Sequence, residues 1–241
     1  MTRKSSIEEI RARFDRDVER FSNIDTGQTA TIDAQLVMDL VTEAAAACCP
    51  TAKKLLDIGC GAGNYALKML ERIPTLQITL LDISQTMLDR AVARLAQAGA
   101  MDALAIQLDI RDFKAEDGEF DIVLAAAVFH HLREPEEWES VFTRIYRLLR
   151  PGGCLFVSDL IYHSIPEVQN ILWRRYEDYL VSLNGTGYRD EVVAYIEKED
   201  TPRPVFWQLE LLKKVGFQEV DILHKNSCYA AYGAVKARDD A

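Results

Sequence analysis

Leu55-Leu56-Asp57-Ile58-Gly59-Cys60-Gly61-Ala62-Gly63-Asn64 decides how the rest of the chain is read. The stretch opens as a short apolar run, the pattern of a buried strand. It then breaks into glycines at every second position and continues as Tyr65-Ala66-Leu67-Lys68-Met69-Leu70, which suits a helix. A strand, a glycine-rich turn and a helix start together make a ligand site. Glycine adopts dihedrals closed to other residues and lets a ligand lie against the backbone, while the first turn of a helix offers unpaired N–H groups.

Outward from that turn, strands and helices alternate. Before it, residues 5–21 place Ile7, Ile10, Phe14, Val18 and Phe21 on one helical face, and residues 32–47 form a second apolar-striped helix ended by Pro50. A polar loop, 22–29, separates them. Strands are expected at 53–58, 76–82, 103–108, 120–126 and 154–159, with helices between them: 64–72, 84–99 capped by Ser84, and 135–149. The fourth strand is nearly all apolar, which belongs to a parallel sheet covered on both faces. Alternating strands and helices imply right-handed crossovers. Residues 166–183 read as a further helix, 184–187 as a loop, 190–199 as an acidic helical insert and 204–215 as a helix stopped by Gly216. Strands 217–224 and 228–236 have so short a link that they form an antiparallel pair. The tail after Ala237 reads as frayed. The division expected is an N-terminal helical cover, 1–49, and an α/β domain, 50–241, with an insertion at about 184–203.

The bulk numbers agree with one such unit. The chain has 241 residues, 49% apolar and 27% charged, with a formal net charge of −10. Nucleic-acid binding needs a basic stripe, and the Lys and Arg residues are instead scattered among acids. Five cysteines in an irregular set lack metal-binding spacing and read as reduced thiols. No signal-like core opens the chain, and no apolar run approaches the ~20 residues of a membrane span. These features point to a cytoplasmic protein with no membrane partner and no resident metal.

The special residues fall at the carboxyl ends of strands, where an open parallel sheet holds its ligand. The glycines follow the first strand, Asp82 ends the second, Asp109 ends the third, and His130-His131 lie just beyond the fourth. Asp82, 25 residues after Asp57, can accept both hydroxyls of a ribose. A nicotinamide dehydrogenase uses an acid there too, but its G-x-G-x-x-G pattern would put the last glycine at Asn64. The spacing here is G-x-G-x-G.

With Asp82, Leu108-Asp109-Ile110, Phe120-Asp121-Ile122-Val123 and Leu149-Arg150-Pro151-Gly152-Gly153 in order, residues 50–160 resemble the class I S-adenosylmethionine-dependent methyltransferases. The resemblance implies a Rossmann-like seven-stranded sheet, order 3-2-1-4-5-7-6, with strand 7 antiparallel and helices on both faces. It also implies S-adenosylmethionine as cofactor and S-adenosylhomocysteine as product. Gly59, Cys60, Gly61 and Gly63 would let the methionine portion lie on the turn, oriented by Asp57. Asp82 would hold the ribose diol, Asp109 would accept from the adenine amine, and Ile110, Ile83 and Met87 would pack on the ring. Ala127 or Val128 would sit under the sulfonium.

The outer segments are similar to methyltransferases of small molecules. They are also somewhat similar to carboxy-S-adenosylmethionine synthases, for whose extra carboxylate Arg189 and Lys198 are the nearby cations. Arg20, Asn23 and Gln28 belong to a segment placed to approach the cofactor carboxylate. If the acceptor is a hydroxyl or phenol, a base near pH 7 helps, and His130 or His131 fits. Asp159 is placed to touch the acceptor. Trp173, Tyr176, Tyr179, Tyr188 and Tyr195 either line its pocket or pack a lid helix. The expected function is methyl transfer to a small molecule; the alternatives are carboxy-sulfonium synthesis or cofactor binding without catalysis. The apolar N-terminal face and the acidic insert offer surfaces for a homodimer.

Overall fold

A computed structural model describes residues 3–23 and 28–238. The expected loop at 22–29 and the tail after 237 therefore lie partly outside the described residues. The strands are β1 Lys54–Ile58, β2 Gln77–Asp82, β3 Leu104–Gln107, β4 Phe120–Ala126, β5 Leu149–Leu160, β6 Glu219–Asn226 and β7 Tyr229–Val235. They form one sheet in the order β3-β2-β1-β4-β5-β7-β6. Pairings among β1 to β5 are parallel, and β7 runs antiparallel to both neighbours. Sheet order and strand directions agree with those expected.

The helices are α1 Ile7–Arg16, α2 Val18–Ser22, α3 Ala34–Cys48, α4 Asn64–Arg72, α5 Gln85–Gln97, α6 Pro135–Leu148, α7 Pro166–Glu199 and α8 Val205–Val215. Alternate strand residues face opposite sides of the sheet. Leu55, Ile122 and Leu124 pack with α3, α4 and α5, while Leu56, Val123 and Ala125 pack with α6 and α8. These central side chains are at most 2% exposed. At about 25 cal/mol per Å² of apolar surface removed from water, such two-sided burial dominates the stability of the sheet.

Helix α3 thus belongs to a layer on the sheet through Val37, Met38, Val41 and Ala45, so the part standing over the strand ends is α1, α2 and the turn at 28–31. The single helix expected at 5–21 breaks at Asp17, whose N–H bonds the Phe14 carbonyl. Strand β5 begins five residues earlier than expected, running through Pro151-Gly152-Gly153. A side chain on Gly153 would lie 2.9 Å from the Asp121 and Arg150 carbonyls, so only glycine lets the strand pass. The expected loop at 184–187 is a shorter break, a kink where two helical segments of α7 meet. Asn184 and Gly185 alone leave helical dihedrals, Gly185 with φ 79°.

Candidate active site

Strand β1 delivers Asp57 to the edge of a cavity of about 510 Å³ at the carboxyl ends of the parallel strands, within the range of small-molecule sites. The chain then turns with φ +60° at Gly59, +50° at Gly61 and +82° at Gly63. At Gly59 a Cβ would lie 2.3 Å from Val128 Cγ2, whereas at Gly61 it would meet nothing within 4 Å. The Gly61 backbone is therefore open to the cavity. Gly63 does not line it. That glycine sits at the start of α4, where a Cβ would lie 3.1 Å from Ala91 Cβ on α5, so it serves the packing of two helices.

Two carboxylates face this loop. Asp82 Oδ2 accepts from the Gly61 N–H at 2.9 Å and Oδ1 from the Ser84 N–H at 2.8 Å. Burial pushes Asp82 up to about 6, against those backbone hydrogen bonds. Asp57 is 2% exposed, and its Oδ2 is sealed from solvent with no hydrogen-bond partner. Burial, followed by the negative charge of Asp82, pushes it up to about 7. Ile83, Met87, Cys60 and Ile110 complete this end of the lining, and burial raises the Cys60 thiol. Asp109 also lines it but is engaged. Arg111 donates to its Oδ1 from the backbone N–H and Nε, and to Oδ2 from a terminal nitrogen at 2.7 Å. Burial alone would raise Asp109; the Arg111 bonds hold it below the usual carboxylate range.

The cover closes this end from above. Arg20 and Gln28 line the cavity. Arg20 pairs with Asp17 at 3.0 Å and lies over the Phe21 ring, while its Nε is buried without a hydrogen bond. Asp15 accepts from the Ser84 hydroxyl at 2.6 Å and the Thr86 hydroxyl at 2.8 Å. Ser84 in turn caps α5 by accepting from Met87 N–H. On the other side Arg13 makes a two-pronged bond to Glu199 at the end of α7, 2.7 Å at the shortest.

Ala127 follows β4 with φ 58°, a left-handed conformation that is strained for a residue with a Cβ. Beyond it Phe129–His131 form one tight turn, with His130 and His131 both lining the cavity. Asp159 is not in the lining. It is 1% exposed and accepts from the Phe129 N–H at 2.7 Å, the His130 N–H and His130 Nδ1. The expectation that it touches the acceptor is corrected: its oxygens are consumed in holding the histidine turn. Nδ1 of His130 being engaged, Nε2 points to Asp200, 3.6 Å from its Oδ1, which is also 3.2 Å from His131 Nδ1. Burial would lower His130, but the carboxylates of Asp159 and Asp200 raise it to about 9. Asp200, for its part, is held low against burial by the two histidines.

Asp200 was missed by sequence reasoning. Its only signal was an acid closing the acidic stretch before Pro202. Of the five aromatics considered, Tyr195 alone lines the cavity; Tyr176 is fully buried and bonded to the Ala30 carbonyl and the Tyr229 hydroxyl. Arg189 pairs with Asp190, and neither Arg189 nor Lys198 lines the cavity.

These features fit a cationic, adenosine-bearing sulfonium. An unbonded buried carboxylate oxygen at Asp57 calls for a donor, the open Gly61 backbone leaves room for a chain, and Asp57 and Asp82 favour positive charge. Comparison with known proteins gives the same answer. The methyltransferase-domain family matches residues 55–153. A methyltransferase of Mycobacterium bovis, itself uncharacterized, is 30% identical over 153 residues, 64% of this chain and 68% of that protein. The carboxy-S-adenosyl-L-methionine synthase of Trichodesmium erythraeum is 27% identical over 194 residues, 76% of this chain and 73% of that one. Among solved structures, an O-methyltransferase family protein from Burkholderia thailandensis superposes with a TM-score of 0.67 at 18% identity. That match covers 97% of this chain and 63% of the other, and at that identity it speaks for the fold. With the sheet order, the glycine turn and the paired acids in place, the chain belongs to the class I S-adenosylmethionine-dependent methyltransferases.

Proposed function

We propose that the acceptor is a small molecule presenting an oxygen, held at the His130–His131–Asp200 end of the cavity while the cofactor occupies the glycine and carboxylate end. The observation that carries this reading is the polarity of this cavity. Asp57 and Asp82 crowd one end, a histidine pair occupies the other, and Ala127 stands between them. When bound, the cofactor supplies a methyl group already activated on sulfur.

The chain's part is to align and to exclude water. Asp82 accepts from the ribose hydroxyls while bracing Gly61, and Asp57 orients the cationic methionine portion. Ile83, Met87 and Ile110 sandwich the adenine, and Asp109 receives its amine at the edge left beside Arg111. Arg20 on α2 and Gln28 in the turn that follows approach the cofactor carboxylate from the cover. His130 and His131 line the acceptor end with Asp200 beside both, 3.6 Å from His130 Nε2 and 3.2 Å from His131 Nδ1, a polar face for an acceptor oxygen. Five unbridged cysteines suit a reducing compartment, which supports a cytoplasmic setting. No helix among the described residues is long and apolar enough to cross a membrane.

Plain methyl transfer is favoured over carboxy-sulfonium chemistry by the state of the cavity arginines. Arg13 is bound to Glu199, Arg20 to Asp17, Arg111 to Asp109 and Glu137, and Arg133 to the Ser5 carbonyl. Arg20 keeps an unmatched Nε, which the cofactor's own carboxylate can take, so a second carboxylate would have to displace one of these partners. The test is release of S-adenosylhomocysteine across a panel of phenols, hydroxy acids and carboxylates, beside calorimetric titration of S-adenosylmethionine. Asp82→Asn should weaken cofactor binding by about 1.5–3 kcal/mol, the range for a hydrogen bond to a charged group. Cofactor binding without turnover of any oxygen acceptor would refute the acceptor class. A co-purified ligand heavier by a carboxyl group would reinstate the synthase reading.

A further inference from the structure

We infer that His130, His131 and Asp200 form a three-ligand site for a divalent first-row transition metal, with its open positions facing the acceptor end of the cavity. The three residues come from two distant parts of the chain, the turn after β4 and the residue that ends α7, and one ligand atom from each lies within 4.8 Å of the others. Asp200 Oδ1 is 3.2 Å from His131 Nδ1 and 3.6 Å from His130 Nε2. Metal bonds of about 2.0–2.2 Å to imidazole nitrogen and carboxylate oxygen put neighbouring ligand atoms about 3.0–3.5 Å apart. The cluster is therefore already spaced for a shared ion.

Three further observations point the same way. First, Asp200 Oδ1 and both ring nitrogens of His131 are sealed from solvent, yet none makes a hydrogen bond. The Asp200 side chain is 4% exposed, and leaving such atoms unmatched is costly unless something binds them. The 3.2 Å approach of His131 to Asp200 is close but not aligned for an N–H···O bond. Second, Asp159 behind His130 takes its Nδ1 and thereby presents Nε2 to the cluster. A carboxylate bonded to the far nitrogen of a ligating histidine is the usual outer support of such sites. Third, the donor set of two imidazoles and one carboxylate suits zinc, iron, cobalt or manganese, whereas magnesium and calcium prefer all-oxygen surroundings.

All three ligands line the cavity while Asp159 does not, so an ion held there would meet the acceptor directly. Its charge would draw an acceptor hydroxyl oxygen, whose proton would pass to bulk water. That consequence rests on the proposed acceptor class; the binding of the ion does not.

The test uses chelator-treated full-length protein titrated with Co²⁺, followed by visible absorption and calorimetry, with Zn²⁺ as competitor. Wild type should bind about one equivalent, and Zn²⁺ should displace it. His131→Ala and Asp200→Asn should each weaken Co²⁺ by about a hundredfold or more, and Asp159→Asn by about ten- to a hundredfold. His224→Gln, at a histidine paired with Asp33 away from the cavity, should change nothing. S-adenosylmethionine titrations on the same proteins report folding and the cofactor end separately. Should Asp200→Asn not fold, the partly exposed His131 carries the test. Absence of stoichiometric Co²⁺ binding, or binding unaltered in His131→Ala, overturns the site and leaves the methyltransferase assignment standing. Co²⁺ binding without turnover of any oxygen acceptor does the reverse, retaining the site and refuting the acceptor class.

Discussion

Replacing Asp57 with Asn isolates the electrostatic design of the cofactor end. In the unfolded chain an aspartate titrates near 3.8, whereas burial and the neighbouring Asp82 carry Asp57 to about 7 in the fold. A group whose folded value is raised contributes stability that is fully present below the unfolded value and lost as pH climbs through the folded one. Over that span the loss is roughly 4 kcal/mol at about 1.36 kcal/mol per pH unit. About 2.5 kcal/mol of it develops between pH 5 and pH 8. Asparagine has the same shape and no titration, so denaturant unfolding of the cofactor-free protein should show Asp57→Asn gaining about 2–3 kcal/mol on wild type over that interval. Bound cofactor should reverse the trend in wild type, because a cation beside Asp57 and Asp82 favours their charged forms. Affinity for S-adenosylmethionine should therefore rise from pH 5 to pH 8, and rise less in the variant. Parallel stability profiles for the two proteins would refute the argument, since they would mean that Asp57 is not held away from charge in the fold.

Two further perturbations separate the loop from the cover. Gly59→Ala forces a side chain into Val128 at a φ of +60°, and should cost about 2–4 kcal/mol in denaturant unfolding with loss of cofactor binding. Adding Val128→Ala should recover the clash but not the backbone part, and a single-variant loss below about 1 kcal/mol would contradict the geometry. Arg13→Ala leaves Glu199 buried without its partner, a change of about 3 kcal/mol for a pair of this burial. Hydrogen exchange should then quicken in α1 while the amides of β1 and β4 stay protected; equal protection of α1 in both proteins would show that Arg13 does not latch the cover.

The sheet was legible because its central strands are short apolar runs with β2 closing on Asp82, and because each glycine that forces a turn is visible as a glycine. The elements that escaped were set by contacts distant in sequence. Nothing local says that Pro151-Gly152-Gly153 continues a strand; the Asp121 carbonyl, 2.9 Å from where a Gly153 side chain would stand, decides it. Asn184 to Gly187 reads as a loop on composition, and the chain does leave helical dihedrals there, but only at Asn184 and Gly185, while Tyr176, Leu180, Val192 and Ile196 from the two sides share one cluster. In the site, sequence position brought every expected cofactor-binding residue but Gly63, and both histidines, to the cavity edge, but not their partners. Arg111 claims Asp109, Asp159 serves His130 from behind, and Asp200 arrives from the far end of α7. These are tertiary facts, and an acid at a strand end looks alike whether it meets a ligand, an arginine or a histidine.

Ala127 carries a consequence for anyone who would engineer this protein. Among the described non-glycine residues with positive φ, namely Asp33, Ala127 and Ser227, it alone lines the cavity. Glycine there would relieve about 1 kcal/mol of backbone strain, so a search for thermostability would reach Ala127→Gly early. The same change would remove the methyl group that stiffens the junction between the two halves of the cavity and would let the histidine turn wander. Stability and alignment are in opposition at this residue, and the chain carries the stiffer choice. A sturdier variant built at position 127 should be judged by turnover before it is judged by melting temperature.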